Sequence, residues 1–192
     1  MNETQAFEVV RHALKPRRFE HTERVVEEAT KLAKRYGGDL QTIRLAAILH
    51  DYAKYRSSLE MRDMVIKEKN LPNHLLDYGD ELLHSFVGAV YVHQELAVDD
   101  DSILSAIRYH TTGRAGMTLE EKIVFLADYI EPGRTFSGAK LTRELAEKDL
   151  DVACLQSLKN TICYLSENSI AIYPDTFEAY NDFVIKLKKH GG

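Results

Sequence analysis

Residues 45–54, Leu-Ala-Ala-Ile-Leu-His-Asp-Tyr-Ala-Lys, are the stretch that most constrains the fold of this chain. The alanine-rich apolar run belongs inside a core, yet it ends on an imidazole and a carboxylate, His50 and Asp51. Apolar helices rarely finish this way unless something compensates the buried polar groups. Lys54 follows about one helical turn later. A His-Asp dipeptide alone is unspecific, so its meaning depends on what else the chain supplies.

The surrounding periodicity is helical almost everywhere. Residues 3–14 carry Phe7, Val10 and Leu14 on one stripe, and Pro16 ends the segment. Residues 17–36 place His21, Val25, Ala29 and Leu32 or Ala33 on one face before Gly37-Gly38. Asp39 is the expected N-cap of the helix holding the opening stretch. A short amphipathic helix over 58–69 displays Leu59, Met61, Val65 and Ile66, and a break around Pro72 follows. Residues 80–95 align His84, Gly88 and Tyr91. The acidic run 99–101 favours the start of a helix that ends at His110, before Thr111-Thr112-Gly113. Residues 118–130 form a strongly apolar helix with Asp128 inside it, and Pro132-Gly133-Arg134 ends it. Ser137-Gly138 continues that loop, and helices over about 148–167 and 174–189 close the chain. With no repeat, linker or alternating strand, the expected fold is one all-α domain over 1–192. Its core spans about 17–132, with the C-terminal helices of about 148–189 packed on it.

Bulk properties narrow the function. At 192 residues with 44% hydrophobic and 29% charged side chains, the chain matches a soluble globular protein. Its apolar runs are too short for a membrane span and its N-terminus lacks signal-peptide character, so the cytoplasm is the expected location. A net charge of −5 argues against a nucleic-acid-coating surface while leaving room for a local cationic pocket. Cys154 and Cys163 form no CxxC pair, which argues against a zinc knuckle and favours buried free thiols.

The informative residues are the polar groups that interrupt apolar helical faces: His21, His50, Asp51, His84, His110 and Asp128. Singly, each histidine is ordinarily a core residue satisfied by a carbonyl, and His110 also suits the negative end of a helix dipole. Asp128 is harder to explain, because a carboxylate on so apolar a helix needs a metal, a cation or several donors. Together the imidazoles and carboxylates make a ligand set for iron, manganese, cobalt or zinc, contributed by several inward-facing helices. His93 should face away from His84, about half a turn round the helix. His12, His74 and His190 have no supporting context and read as surface or structural. Tyr109, Tyr129 and Tyr173 have the chemistry to stack a base, although packing is the commoner use of such rings.

The ordered set His21 … His50-Asp51 … His84 … His110 … Asp128 resembles the HD-domain metal-dependent phosphohydrolases. The blocks His21-Thr22-Glu23-Arg24, residues 49–54 and residues 107–113 are sharper, as is Ala127-Asp128-Tyr129-Ile130-Glu131-Pro132-Gly133-Arg134. They resemble the YqeK-type branch, the symmetrical diadenosine tetraphosphate hydrolases, over most of residues 1–185. The resemblance implies an HD-type helical bundle in which His21, His50, Asp51 and Asp128 hold a divalent transition metal, iron first. It implies that His84 and His110 either hold a second ion or face substrate phosphate. It places Lys54, Thr111 and Arg134 against the nucleotide, and residues Ala171, Ile172, Tyr173 and Thr176 at the nucleoside end. In this scheme His21 and Asp128 also border the substrate. Asp51, Lys54, His84 and His110 serve the hydrolysis of a dinucleoside tetraphosphate to two nucleoside diphosphates. Related proteins suggest a homodimer. From the residues themselves, Lys54 lies three positions after Asp51 and should project from the same helix face. The bland alternatives are a solvated helix end for Lys54 and a dipole partner for Arg134.

Three other functions fit parts of the pattern. A nucleotidase of the same superfamily would share the ligand set. A metal-free HD-like signalling or binding module would have lost ligands, whereas every position is filled here. An iron oxygenase is the remotest. A guanosine tetraphosphate hydrolase is disfavoured because Tyr52-Ala53-Lys54 follows the His-Asp pair, where that group usually carries an acidic pair. The cyclic-dinucleotide phosphodiesterase variant is absent, since Thr111 stands where that group has a second histidine.

Overall fold

The computed structural model describes residues 1–190, and of His190 only the backbone, so the expectation for its side chain lies outside the described residues. The described residues form ten α-helices, one short 3₁₀ helix at Asn73–Asp77 and no strand. The helices are α1 (Glu3–Ala13), α2 (Pro16–Tyr36), α3 (Leu40–Leu49), α4 (Ser58–Lys67) and α5 (Asp80–Leu96). The remainder are α6 (Asp101–Tyr109), α7 (Leu119–Ile130), α8 (Ser137–Ala146), α9 (Leu150–Glu167) and α10 (Pro174–His190).

Helix α3 is the hub, packing on α1, α2, α6 and α7. Its residues Leu45 to Leu49 are all buried, and the alanines among them leave room for neighbours on every side. The expected face of α2 is the buried one: His21, Val25, Ala29, Leu32 and Ala33 all point inward. Local signals set the boundaries. Asp39 accepts from Thr42 N at 2.7 Å, and Thr118 and Glu121 form a reciprocal capping box at the start of α7. Asp100 caps α6 by accepting from Ser102 N and Ile103 N. Gly37 ends α2 at φ 90°, a conformation that a side chain would resist. Pro16 is the first residue of α2, where its missing N–H costs nothing, and α1 has already ended at Ala13.

Three expectations need correction. Ser137 and Gly138 do not continue a loop: they open α8, which buries Ala139, Thr142 and Ala146 against its neighbours. On α4 only Met61 and Val65 are buried, while Leu59 and Ile66 project outward at 72% and 64% exposure. Cys154 is buried as expected, but Cys163 is exposed. Helix α9 packs on α7 and α8, and α10 lies along α9. No helix among the described residues is long and apolar enough to cross a membrane.

Candidate metal centre

Four imidazoles and two carboxylates meet where α2, α5, α6 and α7 converge on the end of α3. His21 comes from the first turns of α2, His84 from α5 and Asp128 from the last turn of α7. His50 and His110 are the residues at which α3 and α6 end. The rings of His21 and His110 both stand edge-on to His50, with centroids 5.6 and 4.9 Å away. All four histidines and Asp51 are buried, and Asp128 keeps 19% of its side chain exposed.

The orientation of the imidazoles decides what they can do. His50 Nδ1 lies 2.7 Å from Ala47 O, His110 Nδ1 2.7 Å from Ile107 O, and His84 Nδ1 2.5 Å from Glu81 O. A carbonyl only accepts, so each Nδ1 carries the proton and each neutral ring turns an Nε2 lone pair inward. His21 obeys the same rule with a carboxylate, its Nδ1 lying 3.1 Å from Glu131 Oε1. Glu131 is 2% exposed and also accepts from Arg24 Nε and Gly133 N, both at 2.6 Å.

The inward atoms therefore crowd acceptor against acceptor. His21 Nε2 is 3.0 Å from Asp128 Oδ1, His50 Nε2 3.0 Å from Asp51 Oδ2, and His84 Nε2 3.2 Å from Asp51 Oδ1. His21 Nε2 and His50 Nε2 are buried and make no hydrogen bond to any described residue, and buried Asp51 Oδ2 is met by Arg18 Nε at 2.6 Å as an ion pair. Such a set is stable only around positive charge. The trios His21/His50/Asp51, His50/His110/Asp128 and Asp51/His84/His110 each bring one ligand atom per residue within 4.8 Å of the others. The residues thus fit a divalent ion, and the purely nitrogen and oxygen donor set suits iron, manganese, cobalt or zinc.

Without an ion, the groups of the centre compensate one another in part. Burial pulls His110 down to about 3, with the neighbouring His50 and His84 acting in the same direction, so its lone pair is available at neutral pH. Burial also opposes charge on His50, but Asp51 and Asp128 leave its pKa raised. Burial works against ionised Asp51 and Asp128 as well. His50 and His84 hold Asp51, and His21 and Arg134 hold Asp128, well below the usual carboxylate range.

Residues 18–133 match the HD domain family model. The chain belongs to the HD-domain family. It is 49% identical over 188 residues to a protein of Halalkalibacterium halodurans named bis(5'-nucleosyl)-tetraphosphatase, symmetrical, covering 98% of this chain and 100% of that one. A protein of Bacillus subtilis with the same name is 48% identical, over 94% of this chain and 97% of its own. Among solved structures, a predicted HD superfamily hydrolase of Clostridium acetobutylicum described as involved in NAD metabolism superposes with a TM-score of 0.91. It shares 32% identity, over 97% of this chain and 98% of that one.

Around the HD centre, the other expected site residues divide into two groups. Arg134 approaches it: Nη2 donates to Asp128 Oδ1 at 2.8 Å and Nε to Asp128 O at 3.0 Å. One guanidinium thus meets both a ligand carboxylate and a last-turn carbonyl of α7. Lys54 is placed differently from expectation. Helix α3 stops at Leu49, so Lys54 lies in the following turn and does not share a helix face with Asp51. Its Nζ pairs at 2.7 Å with Glu81, whose side chain is 91% exposed. Thr111 is half-buried directly after His110. Ala171 is exposed and Ile172 half-buried in the α9–α10 link, whereas Tyr173 and Thr176 are buried. The Tyr173 ring stacks on His74 and meets Tyr78 and Phe86 edge-on. His93 faces outward as expected and pairs with Asp99.

Sequence reasoning missed Arg18 and Glu131. Arg18 Nε lies 2.6 Å from Asp51 Oδ2. It sits three residues before His21 on α2, and that spacing was the available signal. Glu131 is three residues after Asp128, inside a block already singled out.

Proposed function

We propose that this HD-domain protein is a metal-dependent hydrolase that splits diadenosine tetraphosphate symmetrically into two molecules of ADP. The supporting observation is the extent of the likeness. Relatives named symmetrical bis(5'-nucleosyl)-tetraphosphatase align over nearly the whole chain, including the helices outside the metal centre that would contact the rest of a substrate. Iron is the proposed ion.

His21, His50, Asp51 and Asp128 would hold the ion, leaving His84 and His110 to face the substrate phosphates. An ion held there supplies a Lewis acid for phosphate oxygens and lowers the pKa of the attacking water. The chain contributes the rest. Arg134 at Asp128 and Arg18 at Asp51 place guanidinium charge on either side of the carboxylates, 32% and 20% exposed, where an anionic tetraphosphate can reach them. Among the described residues Lys54 is tethered only to an exposed carboxylate, a weak pair that a phosphate can replace. His84 Nε2 and His110 Nε2 lie 3.1 Å apart, so the two rings can hold one proton between them beside Asp51.

The water oxygen bonds to the second phosphorus counted from one nucleoside. The attacking water gives up one proton to the His84–His110 pair as the bond breaks between that phosphorus and the oxygen it shares with the third phosphorus, and this oxygen leaves on the other ADP with the proton that the pair returns. Incubating iron-loaded protein with diadenosine tetraphosphate and separating the products tests the proposal. ADP as sole nucleotide product supports it; ATP with AMP, or no product, contradicts it.

A further inference from the structure

We propose that the Glu81 carboxylate is an internal competitor for phosphate at Lys54, and that this competition lets the nucleoside diphosphate product leave the centre. This rests on the phosphohydrolase reading above and adds what limits the grip on the product.

The turn that carries Lys54 is held at both ends. Lys54 N donates to Asp51 O at 2.8 Å, and Asp51 belongs to the metal centre. Two residues further on, Arg56 donates to Glu60 Oε1 of α4 at 2.8 Å and to Glu95 Oε2 of α5 at 2.5 Å. The Tyr52 hydroxyl donates to the same Glu95 oxygen at 2.7 Å. With its backbone fixed, Lys54 changes partner only by turning its side chain.

Glu81 is likewise fixed at its backbone and mobile only at its carboxylate. It stands in the first turn of α5, where its carbonyl oxygen accepts from His84 Nδ1 at 2.5 Å. Its carboxylate accepts from Lys54 Nζ at 2.7 Å, although its side chain is 91% exposed and that of Lys54 only 19%. Breaking the pair therefore returns Glu81 to water and leaves a half-buried ammonium that requires another anion. Arg18 and Arg134 differ in this respect. They pair at 2.6 and 2.8 Å with Asp51 and Asp128, whose side chains are 1% and 19% exposed and belong to the ligand set. Those carboxylates have no water to swing into, whereas Glu81 does.

The hydrogen bond and the charge of Lys54 hold Glu81 below the ordinary carboxylate range against the effect of burial, and the charges of His84 and Arg18 act with Lys54. Glu81 is thus anionic at neutral pH and close enough to the centre to feel its groups. A phosphate that takes Lys54 has to displace this charge. An exposed ion pair of this kind shifts an equilibrium by a factor of up to about five. Weakening substrate and product alike by such a factor raises KM without slowing the chemical step, and it shortens the stay of the product.

The test is the Kd of the iron-loaded full chain for ADP, measured by calorimetric titration in wild type and Glu81→Gln, and again with both carrying Lys54→Ala. Glu81→Gln is expected to bind ADP about five times more tightly, with the KM for diadenosine tetraphosphate lowered by about the same factor and kcat not raised. In the Lys54→Ala background the same substitution is expected to leave ADP affinity unchanged. A carboxylate that merely supports the start of α5, and through it His84, predicts the opposite sign, weaker ADP binding in Glu81→Gln. Affinity that is unchanged or weaker, or that tightens as much without Lys54 as with it, overturns the competition. Binding of ADP needs no turnover. Tightening by Glu81→Gln in a protein that yields no ADP from the dinucleotide overturns the proposed function alone. Hydrolysis to ADP without that tightening overturns the role of Glu81 alone.

Discussion

His21 Nδ1 donates to Glu131 Oε1 across 3.1 Å, and this contact turns the other nitrogen of the ring, Nε2, toward Asp128. Glu131 is itself held by Arg24 Nε and Gly133 N, so ring orientation at the centre is set by a carboxylate outside it. Glu131→Gln weakens the charge that fixes this tautomer and is expected to reduce metal affinity about tenfold or more. Metal titration of the apo-protein reads this directly, and an affinity equal to wild type would show that His21 needs no such support.

Metal removal should cost stability, because it leaves lone pairs and carboxylate oxygens facing one another in a buried site. An ion at about a hundred times its Kd adds roughly 2.7 kcal/mol. For a chain of this length that corresponds to a Tm shift of about 5–10 °C. Thermal unfolding of iron-loaded protein before and after chelation measures the shift. An identical Tm would mean that these atoms hold no ion.

Arg143 closes the end of α7 that carries Asp128. Its Nε donates to Ile130 O and its Nη2 to Glu131 O at 2.8 Å and to Arg134 O. One guanidinium thus ties α8 to the carbonyls of the loop that positions Glu131 and Arg134. Arg143→Ala should destabilise the fold by about 3 kcal/mol, since several buried carbonyls lose a charged donor together. Arg143→Lys should recover less than half of this, having no planar fork. Urea midpoints for the two variants make the comparison.

Gly113 follows His110, Thr111 and Thr112 at φ 64°, with Ala179 Cβ and Met117 Sδ each 3.3 Å from where a Cβ would stand. Gly113→Ala therefore combines left-handed backbone strain with crowding against α10. The expected loss is about 1–2 kcal/mol, which calorimetry would record as a Tm lower by about 3–6 °C. A neutral substitution would show that the turn after α6 can relax.

What the sequence disclosed follows from where the information resides. His50, Asp51 and Asp128 were legible because a polar group on an apolar helical face has to be explained locally, and the helices themselves follow from spacing and caps. Lys54 was misplaced because nothing in the sequence marks the end of α3 at Leu49, and a helix continued to Lys54 gives it the wrong direction. Helix α8 was missed because Ser137-Gly138 carries the signature of a loop, although here Ser137 and Gly138 are the first residues of the helix. Leu59 and Ile66 fit a helical stripe, but no neighbouring element covers them. Arg18 and Glu131 owe their roles to contacts 33 and 110 residues away in the chain, of which the three-residue spacings to His21 and Asp128 give only a partial local signal.

Hydrolysis of diadenosine tetraphosphate in ¹⁸O-labelled water by the iron-loaded protein tests the central claim most directly. Attack at the second phosphorus predicts ADP as the only nucleotide product, with one ¹⁸O in the terminal phosphate of one of every two ADP molecules. Formation of ATP and AMP, or product formation that persists in an Asp51→Ala variant stripped of metal, would contradict it.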